Sequence, residues 1–230
     1  YAVLRLSQNV GVAMGPAIGG FLAGISYSIA FIAGASGLAI FSILSLIFAR
    51  ETLPKSGLPA HEKPPGGYGP VFRDVHFLVF ILFMTIISLA PSLIWTLMAV
   101  YAKTQYMIPE SRFGFIPTAN ALMVVFLQVP ITNLVKRFHP LFSSALGAFF
   151  FTIGVLSVAF AQNFYGFLIS MVIATIGELI IMPTSTNYTA FLSPLNMRGR
   201  YMSIYSLTWG IAYGIGPLLG GYLYDQVSPV

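Results

Sequence analysis

Between Arg5 and Arg50 the chain runs for 44 residues without an Asp, Glu, Lys or Arg. A helix crosses the hydrocarbon of a bilayer in about 20 residues, so this stretch is long enough to cross twice. Gly24-Ile25-Ser26-Tyr27-Ser28 supplies the turn between the two passes. Further charge-free spans occupy 77–102 and 113–135. Between His139 and Arg198 the one charge is Glu178, and Ala161-Gln162-Asn163-Phe164 is the polar break that divides this region into two more spans. A last one runs over about 201–224. The pattern predicts an all-α membrane protein of about seven transmembrane helices.

Composition supports this reading and closes off others. Hydrophobic residues make up 57% of the 230 positions and charged residues 7%, against roughly a quarter charged in soluble domains. Backbone groups in hydrocarbon must be satisfied within a helix or a closed barrel, and long apolar runs lack the alternation of barrel strands. The formal charge of +5 is scattered singly rather than gathered on a stripe, which argues for membrane topology over nucleic-acid binding. With no cysteine in the sequence, thiolate metal sites and cysteine nucleophiles are excluded. His61, His76 and His139 have no metal-ligand spacing and are expected to do nothing specific. Neither metal nor cofactor is expected.

The segment 50–73, with Pro54, Pro59, Pro64, Pro65 and Pro70, reads as an extended linker. It separates the first two helices (1–49) from five more (74–225), and 226–230 remain as a tail. If residue 1 is cytoplasmic, nine Lys and Arg fall on one side, including Lys136, Arg137, Arg198 and Arg200 in loops, and two, Lys103 and Arg112, on the other. This asymmetry predicts that residue 1 and the 50–73 linker face the cytoplasm of a plasma (inner) membrane. Residue 1 is Tyr and leads directly into an apolar segment, so the chain is expected to continue a longer one that supplies further N-terminal helices.

Gly15-Pro16-Ala17-Ile18-Gly19-Gly20-Phe21-Leu22 recurs as Gly216-Pro217-Leu218-Leu219-Gly220-Gly221-Tyr222-Leu223, an offset of 201 residues. Leu6 and Ser7 match Leu207 and Thr208 in the same register. Six helices separate the copies, so both point the same way, the relation expected of a parallel repeat. Small residues spaced for close packing give part of the same pattern.

In these features the chain resembles the major facilitator superfamily, over helices five to eleven of that family's twelve. Gly11, Gly15, Pro16, Gly19 and Gly20 look like the family's antiporter signature of the fifth helix, which implies drug/proton exchange. Glycines let two backbones approach while Pro16 favours a bend; a plain packing kink would use the same glycines. Gly177-Glu178-Leu179-Ile180-Ile181-Met182-Pro183, with Leu192-Ser193-Pro194 and Arg198-Gly199-Arg200-Tyr201-Met202, is similar to the tenth helix and following loop of bacterial multidrug exporters. In Pro130-Ile131-Thr132-Asn133-Leu134-Val135-Lys136-Arg137, Asn133 stands where the resemblance would place an acid, so no charge latch is expected there.

Glu178 is the charged residue nearest the middle of any span, roughly 21 Å along its helix from Phe164. An ionised carboxylate at that depth is costly, so it is protonated, paired or turned to water. Each state suits a proton-coupling site; a structural carboxyl bonded to a neighbouring helix is the alternative. Ser88, Ser92, Trp95, Thr96, Thr184, Asn187 and Tyr188 fall on helices the resemblance assigns to the substrate cavity. Segments 31–48 and 143–161 carry only small hydroxyls as polar groups and read as lipid-facing support. The expected function is proton-coupled efflux of small apolar compounds by alternating access, the alternative being an uptake permease for a sugar or other metabolite. A retinal protein would need a lysine at membrane depth, and an enzyme a nucleophile and base there; neither is found, so no enzymatic activity is expected.

Overall fold

The computed structural model describes residues 2–49 and 67–226. Among the described residues seven long helices carry the fold: α1 (Ala2–Ile25), α2 (Tyr27–Phe48), α4 (Val75–Tyr106), α6 (Phe115–Val135), α7 (Pro140–Val158), α8 (Phe164–Leu192) and α9 (Arg198–Gln226). Two short ones, α3 (Gly69–Arg73) and α5 (Glu110–Phe113), sit between them. Among the described residues there is no strand. Tyr27–Phe48, Val75–Tyr106, Glu110–Val135, Pro140–Val158 and Phe164–Leu192 are long and apolar enough to cross a membrane by length and composition. In α1 the described apolar segment is the shorter Met14–Ile25. The chain is a multi-pass membrane protein.

Helix ends follow local chemistry. Asp74 Oδ1 accepts from the Phe77 amide at 3.1 Å to start α4, and Asn163 Oδ1 accepts from the Gly166 amide at 3.0 Å to start α8, both satisfying first-turn donors. His139, expected to have no role, caps α7 by accepting at Nδ1 from the Leu141 amide at 3.3 Å. Met107, with φ 54°, ends α4 in left-handed backbone. Of the expected 50–73 linker, residues 50–66 lie outside the described residues, as do 227–230 of the expected 226–230 tail, whose first residue, Gln226, ends α9. Residues 69–73 are helical rather than extended. Pro70 favours a first helical turn, and Val71 is fully buried against the bundle.

The core lies where α4, α8 and α9 meet, with α6 and α7 flanking α8. Phe77 packs on Tyr201 at 4.4 Å between ring centroids and Phe80 on Tyr188 at 4.9 Å. Tyr201 donates to Asp74 Oδ2 at 3.0 Å, tying the start of α9 to the cap of α4. Ser185 and Tyr205 join α8 to α9 through a buried 2.7 Å hydroxyl pair. Packing of α7 on α8 needs small residues: a Cβ on Gly177 would lie 2.7 Å from the Gly147 carbonyl oxygen, and one on Gly154 2.7 Å from Ala174 Cβ. On its outer side α7 carries exposed apolar side chains, with Phe149 57% and Leu156 60% exposed. No residue of α2 is buried, consistent with hydrocarbon contact on most of its surface.

Candidate functional site

Pro183 has no N–H to give the carbonyl four residues back, which leaves Leu179 O on α8 without its helix donor. Gln128 on α6 supplies one, its Nε2 donating to Leu179 O at 3.3 Å and also to Thr132 Oγ1 at 2.9 Å. On the same α6–α8 contact, Glu178 directly precedes Leu179 and is fifteenth of the 29 residues of α8. Asn120 of α6, 3% exposed, donates through Nδ2 to Glu178 Oε2 at 2.7 Å and to Thr175 Oγ1 at 2.9 Å. Thr175 spends its own hydrogen on the Met171 carbonyl at 2.7 Å, so its oxygen can only accept. Both groups facing the amide are therefore acceptors, which fixes its orientation.

No cation lies against Glu178 among the described residues, and Tyr213 of α9 is a titratable side chain within reach of its charge. The carboxyl is half-buried and held by one amide. Such a group can take up or release a proton without breaking an ion pair. Sequence reasoning found Glu178 and missed Asn120, because a single Asn in an apolar run carries no sign of which helix it will meet.

The proposed cavity residues divide. Thr184, Asn187 and Tyr188 line a groove of about 370 Å³ between α6, α7 and α8, with Thr132, Lys136 and His139 along its other wall. Ser88 and Ser92 are not in it. Both are buried in the α4 packing, their hydroxyls bonded back to Met84 O and Leu89 O at 2.7 Å each. Thr96 is bonded back likewise, to Ser92 O, and Trp95 is half-buried on the same helix. Of the loop charges, Arg137 lies in the turn after α6, Arg198 Nη2 donates to Ala190 O at 3.4 Å, and Arg200 lies in the first turn of α9.

The two glycine motifs also differ in use. On α1, a Cβ at Gly20 would lie 2.6 Å from Glu110 O, and one at Gly114 would lie 2.6 Å from Pro16 O, so α1 presses backbone to backbone on α5 and the start of α6. On α9, Gly216 faces Ser92, and Gly220 faces Leu93 and Leu97 of α4. Gly11, Gly15, Gly19 and Gly221 have no described atom within 4 Å of an added Cβ. Pro217 lies within α9. Beside the α1 contact, Lys103 pairs with Glu110, Tyr27 donates to the same carboxylate oxygen, and Lys103 Nζ donates to the Tyr27 hydroxyl at 2.9 Å. Tyr27 thereby fastens the tip of the α1–α2 hairpin to the α4–α5 turn, a contact the sequence did not announce.

Comparison with known proteins agrees with this architecture. An uncharacterized MFS-type transporter of Methanocaldococcus jannaschii, MJ1560, is 30% identical over 150 residues, covering 64% of this chain and 39% of its own. The uncharacterized MFS-type transporter YttB of Bacillus subtilis is 28% identical over 231 residues, 98% of this chain and 57% of its own. The quinolone resistance protein NorA of Staphylococcus aureus is 23% identical over 222 residues, 94% of this chain and 56% of its own. The chain spans about half the length of these curated relatives. The profile of the Major Facilitator Superfamily matches residues 81–229, and with that match over most of its length the chain belongs to the Major Facilitator Superfamily.

Proposed function

We propose that this protein is a secondary active transporter that exports small apolar or drug-like compounds in exchange for protons, with Glu178 as the proton site. The observation that carries the reading is a carboxyl at the midpoint of α8 whose partner is the neutral amide of Asn120. Burial makes its charge costly, and with no cation against it among the described residues the group can change charge without breaking an ion pair. A relative named for quinolone resistance supports drug-like cargo over a sugar. The groove lined by Thr184, Asn187 and Tyr188 is the section of the substrate path these helices provide, its aromatic and aliphatic walls suited to flat apolar molecules.

Alternating access then requires α1 and α2 to separate from the remaining helices and return. The Gly20–Gly114 contact and the Tyr27 link hold them together at one end; the Lys and Arg asymmetry supports an orientation with that end outside the cell and the 50–73 linker in the cytoplasm of an inner-membrane protein. Partners are the lipid bilayer, the cargo, protons and the remaining helices of the full-length chain. The test is Glu178→Gln in the full-length protein reconstituted in vesicles. Proton-driven transport is expected to fall to background while yield and helix content are unchanged; undiminished transport removes Glu178 from the mechanism.

A further inference from the structure

We infer that Asn120 is the positioning residue through which the charge state of Glu178 is felt at the α1 contact. The inference rests on the proton-site reading above and adds the route by which that site acts on helix movement. The route follows from what lies on either side of α6. Asn120 faces α8, its two amide hydrogens on Glu178 Oε2 and Thr175 Oγ1. One turn earlier in the same helix, Pro117 joins Phe113 and Gly114 in lining the space against Pro16, Gly19 and Gly20 of α1.

The two links between α6 and α8 differ in kind. Gln128 to Leu179 O joins an amide to a carbonyl, and neither changes charge, so it is constant through a cycle. Asn120 to Glu178 is an amide on a carboxyl, strong when the carboxyl is ionised and roughly half as strong when it is neutral. Adding a proton to the carboxylate weakens one of the two bonds from Asn120 to α8, the bond to Thr175 Oγ1 staying, and leaves the Gln128 end unchanged. The loosened end is the one that carries Pro117 and, just before the helix, Gly114. A helix held at Gln128 and held less firmly at Asn120 changes its angle where it meets α1, and a change of tenths of an ångström matters where backbones already touch. Tyr213 on α9 is also within reach of the Glu178 charge but belongs to a helix that packs chiefly on α4.

The experiment compares Asn120→Leu and Thr175→Val with Glu178→Gln in the full-length protein, reconstituted in proteoliposomes with a fluorescent quinolone as probe cargo. Two rates are read: uptake driven by a pH gradient, and probe exchange at equal pH on both sides. Loss of coupling lowers the first by about tenfold or more, inside the roughly 5–150-fold span of a coupling free energy, and leaves the second within about twofold. Thr175→Val, nearly isosteric, frees the amide to turn and is expected to act in the same direction more weakly. It keeps the inference testable if Asn120→Leu does not fold. Wild-type rates in both variants, with Glu178→Gln inactive in the driven assay, overturn the role of Asn120 and leave the proton site standing. Equal loss of both rates also overturns it, as the mark of a merely structural contact. Full driven uptake by Glu178→Gln overturns the proton site and this inference with it.

Discussion

Gly177→Leu is expected to leave little folded protein. Its Cβ would sit 2.7 Å from the Gly147 carbonyl oxygen and 2.8 Å from the Phe151 amide nitrogen, and neither backbone atom can rotate away. The α7 and α8 axes would have to part along their tightest contact. In a membrane, close packing is what holds helices together, since lipid and side chain are equally apolar. Overpacking of this kind costs roughly 1–3 kcal/mol or more. Gly37→Leu on α2 is the control, since no described atom lies within 4 Å of a Cβ there. Thermal unfolding in detergent should show Gly177→Leu destabilised by many degrees or absent and Gly37→Leu at wild-type stability. Equal stability of the two would mean that α7 and α8 do not pack as described.

Gly114→Val is expected to abolish most transport while sparing the fold. Gly114 has φ −53°, ordinary helical backbone open to any residue, so the requirement is space alone. A Cβ there meets Pro16 O at 2.6 Å. This penalty falls only on the state in which α1 is seated. A cost of about 2 kcal/mol lowers the population of that state about 30-fold, and a transporter that cannot close one end cannot complete a cycle. Vesicle transport reduced by about tenfold or more, with a melting temperature close to wild type, is the expected pair of results. Normal transport would show that the contact is not used.

The helices were legible because a bilayer demands long apolar runs, and charges or turn residues punctuate them here. The break expected at 161–164 falls between the end of α7 at Val158 and the start of α8 at Phe164, and the turn expected around Ser26 falls there. Glu178 was legible for the same reason: one carboxyl in an apolar span stands out. Its partner was not, because Asn120 lies 58 residues away in sequence and nothing local distinguishes it from Asn133. The surroundings of Ser88 and Ser92 were not legible because a hydroxyl on a helix can bond its own carbonyls, which makes it as suited to packing as to a cavity. The glycine motif was read as one unit, yet a helix presents residues 15 and 19 to a different side from residue 20. Only the part facing α5 and α6 meets described atoms.

The claim on which the rest depends is that α1 and α2 move against the other helices at the contact held by Gly20, Gly114 and Tyr27. A Cβ on Gly24 would lie 3.4 Å from Ser111 Cβ, close to the roughly 3.5–4.5 Å that a disulfide spans, and these 230 residues hold no cysteine to compete. The measurement is vesicle transport by the full-length protein carrying Gly24→Cys and Ser111→Cys, before and after oxidation. Quantitative cross-linking should stop transport, and reduction should restore it to the level of the single variants. Undiminished transport by fully cross-linked protein would contradict the account.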